Sequence, residues 1–597
     1  VATRFREIER KYDAPPDLAL PDLGGVPGVA TVGEPTTDVL VAVYYDTDDL
    51  RLAANKITFR RRTGGADEGW HLKLPAGKDS REEIHSPLEP EPAPDAPEAV
   101  ELLVGVLEDE PGSAALAEAD RRATELGAGA GPDMGDVAGA GDVAGAGAGA
   151  ADVAAAAASK AAADPGLLRA EPPAALVDLV RVVHRDSELG PVARLTSTRR
   201  TWRLLDAGGA ELAEVVDDHV LAETFGPALT RDGWREIEVE LGPAGEPALL
   251  DAIEAVLAGA GVGRSASPSK LSRALRGGGR EIPPARTAAG SVTAARNGSG
   301  PRRGGQAGDA VRAYLAAQVD AMVSVDPKVR LDEPDAVHKM RVATRRSRAT
   351  LRTFGPLFER AVAIDLDNRL RDLAGALSGA RDYEVMTEYL TGQLELLPAE
   401  FVHGPLHAAV RTRLATDSAA AREEALAALR APAYLALLAD LEALVSGPLT
   451  DLARGKAGSV LPELVRVADR KLRRRIETAL AAPAGREQDE HLHAARKQAK
   501  RLRYAGETVA PVFGAAADEY AALNSRVQDL LGEHQDAVIT RDLLRDWGRE
   551  AADAGDPTAF TLGVMVGRED ARAKAAVAAF VGYWPVASKR RYRRWLR

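Results

Sequence analysis

The stretch that decides the reading is His338 to Arg352, HKMRVATRRSRATLR. His338, Arg341, Arg345, Arg348 and Arg352 recur at steps of three and four, so a helix here carries them on one face. Val337, Met340, Val342, Ala349 and Leu351 give that helix apolar positions for docking while its cationic stripe looks into a groove or onto solvent. The spacing returns in HAARKQAKRLRY, where His493, Arg496, Lys500 and Arg503 repeat it. A second marker trails each stripe by nearly the same distance, LSGARD ending at Asp382 and LGEHQD ending at Asp536. An internal duplication accounts for both.

A single stripe of this kind reads most simply as a solvated basic face. Here, however, acidic residues at four-residue offsets are scarce around Arg341, Arg345 and Arg348, so the cations need an anion from elsewhere. Guanidinium forks match phosphate oxygens, and a row of them suits a polyanion better than one small ion.

The surrounding composition narrows the class. A chain of 597 residues exceeds one core and should hold at least two domains. Its formal net charge is -12, so positive charge is gathered into stripes on an acidic chain, which favours a shaped anion site over a nucleic-acid surface with no sequence preference. The absence of cysteine excludes disulfides, thiolate zinc sites and a cysteine nucleophile. No apolar run reaches the roughly 18 residues that span a bilayer, and a soluble cytoplasmic protein without membrane contact is expected.

From the N-terminus to about residue 104 the chain reads as β-rich, with strands at VLVAVYYDT, ITFRRRT and GWHLKLP and a more helical piece near Ala99 to Leu107. A low-complexity Ala/Gly insertion is expected over about 108–173. Strands resume at VARLTSTRRTWRLLD, ELAEVVDDHVLAE and WREIEVELG, so one sheet interrupted by a loop is the economical account, and the first domain is expected to span 1–275. Residues 277–308 read as a flexible linker and 309–597 as helical by period, with breaks near prolines that include Pro327 and Pro511.

Alternate residues of a strand share a face, so EIERK groups Glu7, Glu9 and Lys11. FRRR adds Arg60 and Arg62, HLK adds Lys73, STRRTW offers Arg200, and REIEVE aligns Glu236, Glu238 and Glu240. In a closed barrel these would line a polar interior, with carboxylates for a hard divalent cation and cations for phosphate oxygens. No glycine-rich phosphate loop is present, so side chains must bind the phosphates.

EIERK, YYDTDDLRL, ITFRRR, WHLKLP, STRRTW, LAEVVDDHV, WREIEVEL and SPSKLSRAL occur in the order found in the CYTH domain of triphosphate tunnel metalloenzymes, which the first half resembles. The second half resembles the CHAD domain, the conserved-histidine helical module, through its two His/Arg helices and their trailing markers. The resemblance implies an α+β chain of two domains: an eight-stranded antiparallel β tunnel, then an all-α pair of four-helix bundles. It implies hydrolysis of inorganic triphosphate or short polyphosphate with Mg2+ or Mn2+, and polyphosphate binding by the helical half, with localisation at polyphosphate granules. Glu7, Glu9, Glu236, Glu238 and Glu240 would hold the metal; Lys11, Arg60, Arg62, Lys73, Arg200 and Lys270 would hold phosphates; Glu214 or Asp218 would add an inward acid. The polyphosphate groove would take His338, Arg341, Arg345, Arg348, Arg352, His493, Arg496, Lys500 and Arg503. Two alternatives remain at this level: a non-catalytic polyphosphate adaptor and a class IV-type adenylate cyclase.

Overall fold

A computed structural model of the chain describes residues 3–77, 79–88, 170–226, 228–290 and 301–597. The helical piece near Ala99 to Leu107, nearly all of the Ala/Gly insertion and the 291–300 part of the expected linker lie outside the described residues. The chain divides into two compact units. Asp46–Ile57, Pro172–Gly190 and Glu281–Arg597 form the helical one, and the remainder up to Arg280 forms the sheet unit.

The sheet unit is built from β1 (Thr3–Ala14), β2 (Thr31–Val32), β3 (Thr36–Asp46), β4 (Thr58–Thr63), β5 (Gly69–Gly77), β6 (Ser80–Pro87), β7 (Gly190–Leu205), β8 (Glu211–Thr224), β9 (Thr230–Leu241) and β10 (Gly263–Arg264). Hydrogen bonding runs β1-β6-β5-β4-β3-β7-β8-β9 and returns from β9 to β1, so eight strands close on themselves, with β2 added on β7 and β10 on β1. Closure depends on the length of β1. Its first half, Thr3 to Ile8, pairs antiparallel with β6, and its second half, Glu9 to Ala14, pairs antiparallel with β9. A closed ring has no free edge to pair with other chains.

Strand alternation then turns the usual barrel inside out. On the outer face Tyr12, Val215, Ile237 and Val239 pack against Leu250, Ile253 and Leu257. These leucines and this isoleucine come from the helix Pro247–Gly259. Each fully buried side chain of this size contributes on the order of 1.5–3 kcal/mol. The alternate residues of the same strands face the interior, and most of them are charged, Glu9, Lys11, Asp218, Glu236, Glu238 and Glu240, with Val216 among them.

The helices, in chain order, are α1 (Arg51–Ala54), α2 (Ala174–His184), α3 (Pro247–Gly259), α4 (Lys270–Gly277), α5 (Ala307–Arg330), α6 (Ala336–Phe354), α7 (Arg360–Ala376), α8 (Ser378–Glu395), α9 (Leu406–Arg430), α10 (Pro432–Ser446), α11 (Asp451–Arg454), α12 (Ala457–Ala481), α13 (Arg486–Phe513), α14 (Ala515–Asp553) and α15 (Thr558–Ala587). The inserted segments join the helical unit through ion pairs and hydrogen bonds. Arg330 of α5 forms an ion pair with Asp178 of α2 at 2.8 Å, and Arg51 of α1 donates to the His184 carbonyl at 2.7 Å.

The duplication is visible as a reciprocal contact between equivalent helix starts. The Ala307 amide donates to the Gly455 carbonyl and the Ala457 amide to the Gly305 carbonyl, both at 2.8 Å, which pairs Gln306 with Lys456. One apolar core draws on both repeats, including Leu315 and Met340 from the first and Leu461 and Leu502 from the second. The stripe helices α6 and α13 pack on each other. The repeats differ beyond them, because α7 and α8 are separated at Leu377 whereas α14 runs unbroken for 39 residues. Pro327 and Pro511 lie inside α5 and α13 and do not break them. Each stands in the last turn of its helix, so the one backbone bond it removes lies at the end of the ladder and the helix does not have to continue past it.

Candidate functional site

The barrel interior is a lattice of alternating charges. Lys73 of β5 donates to both carboxylate oxygens of Glu7 at 2.5 and 2.7 Å and sits 2.9 Å from Glu83 of β6. Lys11 bridges Glu9, at 2.7 Å, and Glu238. Lys270 reaches Asp218 at 3.0 Å, Glu236 at 2.8 Å and Glu238 at 2.7 Å. It can do so because it is the first residue of α4, whose N-cap Ser269 accepts from the Ser272 amide. Arg199 completes this side, 2.7 Å from Asp218 and 3.2 Å from Glu238. Arg60 donates to the Tyr44 hydroxyl at 3.3 Å, and Arg62 pairs with Asp67.

Burial and charge pull the acids apart in proton affinity. Burial, with help from neighbouring Glu83 and against Lys73, pushes the Glu7 carboxyl up to about 8. Burial would also raise Glu9, but Lys11 and Lys73 outweigh it and hold that carboxyl well below the usual range. Lys270 and Arg199 do the same for Asp218 despite its burial. Glu240 is raised by burial and by Glu9, Glu83 and Glu214, with Lys73 opposing. Burial holds His71 down to about 3 although it hydrogen-bonds Glu83 at 2.6 Å.

Most of the expected residues meet in this interior: Glu7, Glu9, Lys11, Arg60, Arg62, Lys73, Glu236, Glu238, Glu240 and Lys270. Asp218 is wholly buried beside Lys270, whereas Glu214, on the same face of β8, pairs with exposed Arg203 at 3.1 Å. Arg200 is a correction. It is exposed on the opposite face, with its guanidinium 4.8 Å from the Trp202 ring, and its neighbour Arg199 points inward instead. Two adjacent arginines occupy opposite faces, and their phase is fixed only by pairing with β8, where Arg199 stands opposite Asp218. Glu83, Tyr44 and His71 were missed. The alternation in SREEIHS after the WHLKLP strand was the available signal for Glu83.

The donor set suits a hard divalent cation, since the crowded carboxylates raise one another's proton affinity and a cation would relieve that. Among the described residues no three carboxylate or histidine groups converge on one point as they stand. Lysines occupy the spaces between them.

The helical unit holds a second site. A cavity of about 1180 Å³ is lined by all the expected groove residues, His338, Arg341, Arg345, Arg348, Arg352, His493, Arg496, Lys500 and Arg503. Arg346, Arg371, Lys497, Arg501, Tyr504 and Arg572 join them, and the acids on its wall are Asp382 and Asp536, the last residues of the two trailing markers. Tertiary carboxylates partly answer the stripe: Arg341 pairs with Asp382 at 2.7 Å, and Arg348 and Arg352 share Asp367 at 3.3 and 2.8 Å. The markers also shape the wall in matched ways. Arg341 donates to the Ser378 carbonyl at 3.1 Å, and a Cβ on Gly532, the equivalent residue, would lie 3.3 Å from the Arg496 Nε.

The excess of cations shows in their proton affinities. Burial, then Arg345, Arg496 and Arg341, hold Lys500 down to about 7. Burial and then Arg352 hold Arg501 down to about 10. His493 is depressed by burial and by Lys497 and Arg496. Among the described residues no helix is long and apolar enough to cross a membrane.

Comparison with known proteins agrees with both halves. The CYTH domain model matches residues 6–112 and the CHAD domain model residues 313–545. An uncharacterized protein of Mycobacterium tuberculosis (strain H37Rv) is 33% identical over 594 residues, covering 95% of this chain and 93% of that one. Among solved structures, PptA from Streptomyces chartreusis aligns with TM-score 0.38 and 23% identity over 47% of this chain and 99% of its own. The CHAD domain from the plant Ricinus communis aligns with TM-score 0.39 and 22% identity over 48% of this chain and 94% of its own. The chain therefore belongs to the family in which a CYTH domain is followed by a CHAD domain.

Proposed function

We propose that the barrel hydrolyses inorganic triphosphate or short-chain polyphosphate and that the helical groove binds inorganic polyphosphate. CYTH proteins are metal-dependent triphosphatases or cyclases, and the observation that carries the hydrolase reading is the inward lattice of cations and carboxylates. Glu7, Glu9, Glu236, Glu238 and Glu240 would hold Mg2+ or Mn2+, which would supply Lewis-acid charge stabilisation. A triphosphate entering the barrel offers Lys11, Arg60, Arg62, Lys73, Arg199 and Lys270 new anionic partners, and Lys11, Lys73, Arg199 and Lys270 free buried carboxylates as they move to phosphate. The groove supports polyphosphate because its anion must satisfy a row of cations without offering bases or sugars. Such a ligand would bring the protein to polyphosphate granules.

One observation favours a second reading. The lysine-filled interior, with no preformed three-acid cluster among the described residues, would also suit a barrel that binds phosphate chains without turning them over. Phosphate release from tripolyphosphate, with Mg2+ or Mn2+ against EDTA and with E7Q/E9Q as control, separates the two. Metal-dependent release lost in the variant supports the hydrolase; a folded protein that binds tripolyphosphate without release supports the adaptor.

A further inference from the structure

The two ends of the helical groove differ, and the duplication shows how. The paired helix starts relate α5 to α12 at an offset of 150 residues, from Gln306 to Lys456. The stripes relate α6 to α13 at an offset of 155, from His338 to His493. Under these offsets Arg352 corresponds to Glu507, Arg501 to Arg346, Arg475 to Val325 and Lys471 to Ala321.

At the Glu507 end the charges are closed off. Glu507 pairs with Arg346 at 3.2 Å and Arg503 at 3.1 Å, and accepts from the Tyr314 hydroxyl at 2.8 Å. At the other end an arginine stands where that glutamate would be. Arg352 and Arg501 line the cavity, and Asp367, shared by Arg348 and Arg352, is the carboxylate that answers them. Arg475 of α12 donates to the Ala494 carbonyl of α13 at 2.9 Å, which holds it beside the groove. Exposed Lys471 and Arg474 continue the positive surface along α12. The proximity is reflected in Lys471, which burial, then Arg475, Arg501 and Arg352, depress.

We infer that this end is an exit for the bound polymer: a phosphate chain seated in the groove continues over Arg352 and Arg501 onto α12, where Arg475, Lys471 and Arg474 hold it. The inference rests on the polyphosphate reading of the groove and adds a direction and a minimum length to it. Among the described residues the α12 part of the path carries no aromatic side chain on which a base could stack, which favours polyphosphate over a single-stranded nucleic acid.

The test uses the full chain, inorganic polyphosphate in a short and a long size class, and a single-stranded oligonucleotide. Lys471→Glu with Arg474→Glu reverses two exposed charges outside the cavity wall and should leave thermal unfolding unchanged. Long-chain affinity should fall about tenfold at low salt and the salt dependence should become shallower, with short-chain affinity unchanged. Equal loss for both lengths, or no loss for either, overturns the exit; loss confined to the oligonucleotide overturns the choice of polymer. Wild-type protein that binds neither length removes the groove reading itself. If both lengths bind and Arg345→Glu with Arg496→Glu abolishes both while the α12 variant changes neither, only the exit falls.

Discussion

The barrel interior and the helical groove both concentrate arginine and lysine, yet they handle charge in opposite ways. In the barrel Lys11, Lys73, Arg199 and Lys270 each meet buried carboxylates, as Lys270 does with Asp218, Glu236 and Glu238. In the groove Arg345, Arg496, Lys500 and Arg501 pair with no carboxylate among the described residues, and burial, then neighbouring cations, hold down Arg345, Lys500 and Arg501. A compensated lattice can exchange its partners when an anion and a metal arrive together, which suits chemistry. An uncompensated row waits for an anion and holds it, which suits binding.

The largest effect that would break this contrast is in the barrel. Removing the paired charges in E7Q/E9Q should lower phosphate release by about 100-fold or more, the scale of several kcal/mol of lost charge stabilisation, with circular dichroism unchanged. In the groove, R345E/R496E should abolish salt-sensitive polyphosphate binding while leaving tripolyphosphate release intact; retained binding would make the row structural.

Arg199 and Arg200 sharpen the comparison within a single strand. R199A strips a partner from wholly buried Asp218 and should cost roughly 1–3 kcal/mol in thermal unfolding together with activity, since Lys270 remains. R200A removes an exposed side chain and should stay within about 0.5 kcal/mol.

A graded effect is expected in pH. Lys500 is held down to about 7, and a bound polyanion favours its charged form, so binding takes up protons and affinity weakens as pH rises through 7. The slope is at most about tenfold per pH unit for one group, and K500R should flatten it. Glu7 runs the other way. Its carboxyl is raised to about 8, so a metal must displace its proton, and metal affinity should strengthen as pH rises towards 8; a calorimetric titration in two buffers would register the released proton.

The amino-acid sequence by itself determined the elements and their chemistry. Alternation in EIERK and REIEVE grouped Glu7 with Glu9 and Glu236 with Glu238, and the three-four spacing around Arg345 and Lys500 required two matching helices, because both patterns depend only on local periodicity. Tertiary structure decided whatever depends on which face a neighbour covers. Barrel closure through β1 put Arg199 inside and Arg200 outside, a choice that two adjacent arginines cannot make alone. Folding also brought Asp382 and Asp367 to the stripe from distant helices and set Glu507 at one end of the groove against Arg352 at the other. Period fixes which residues travel together; packing fixes where they face and what charge they meet there.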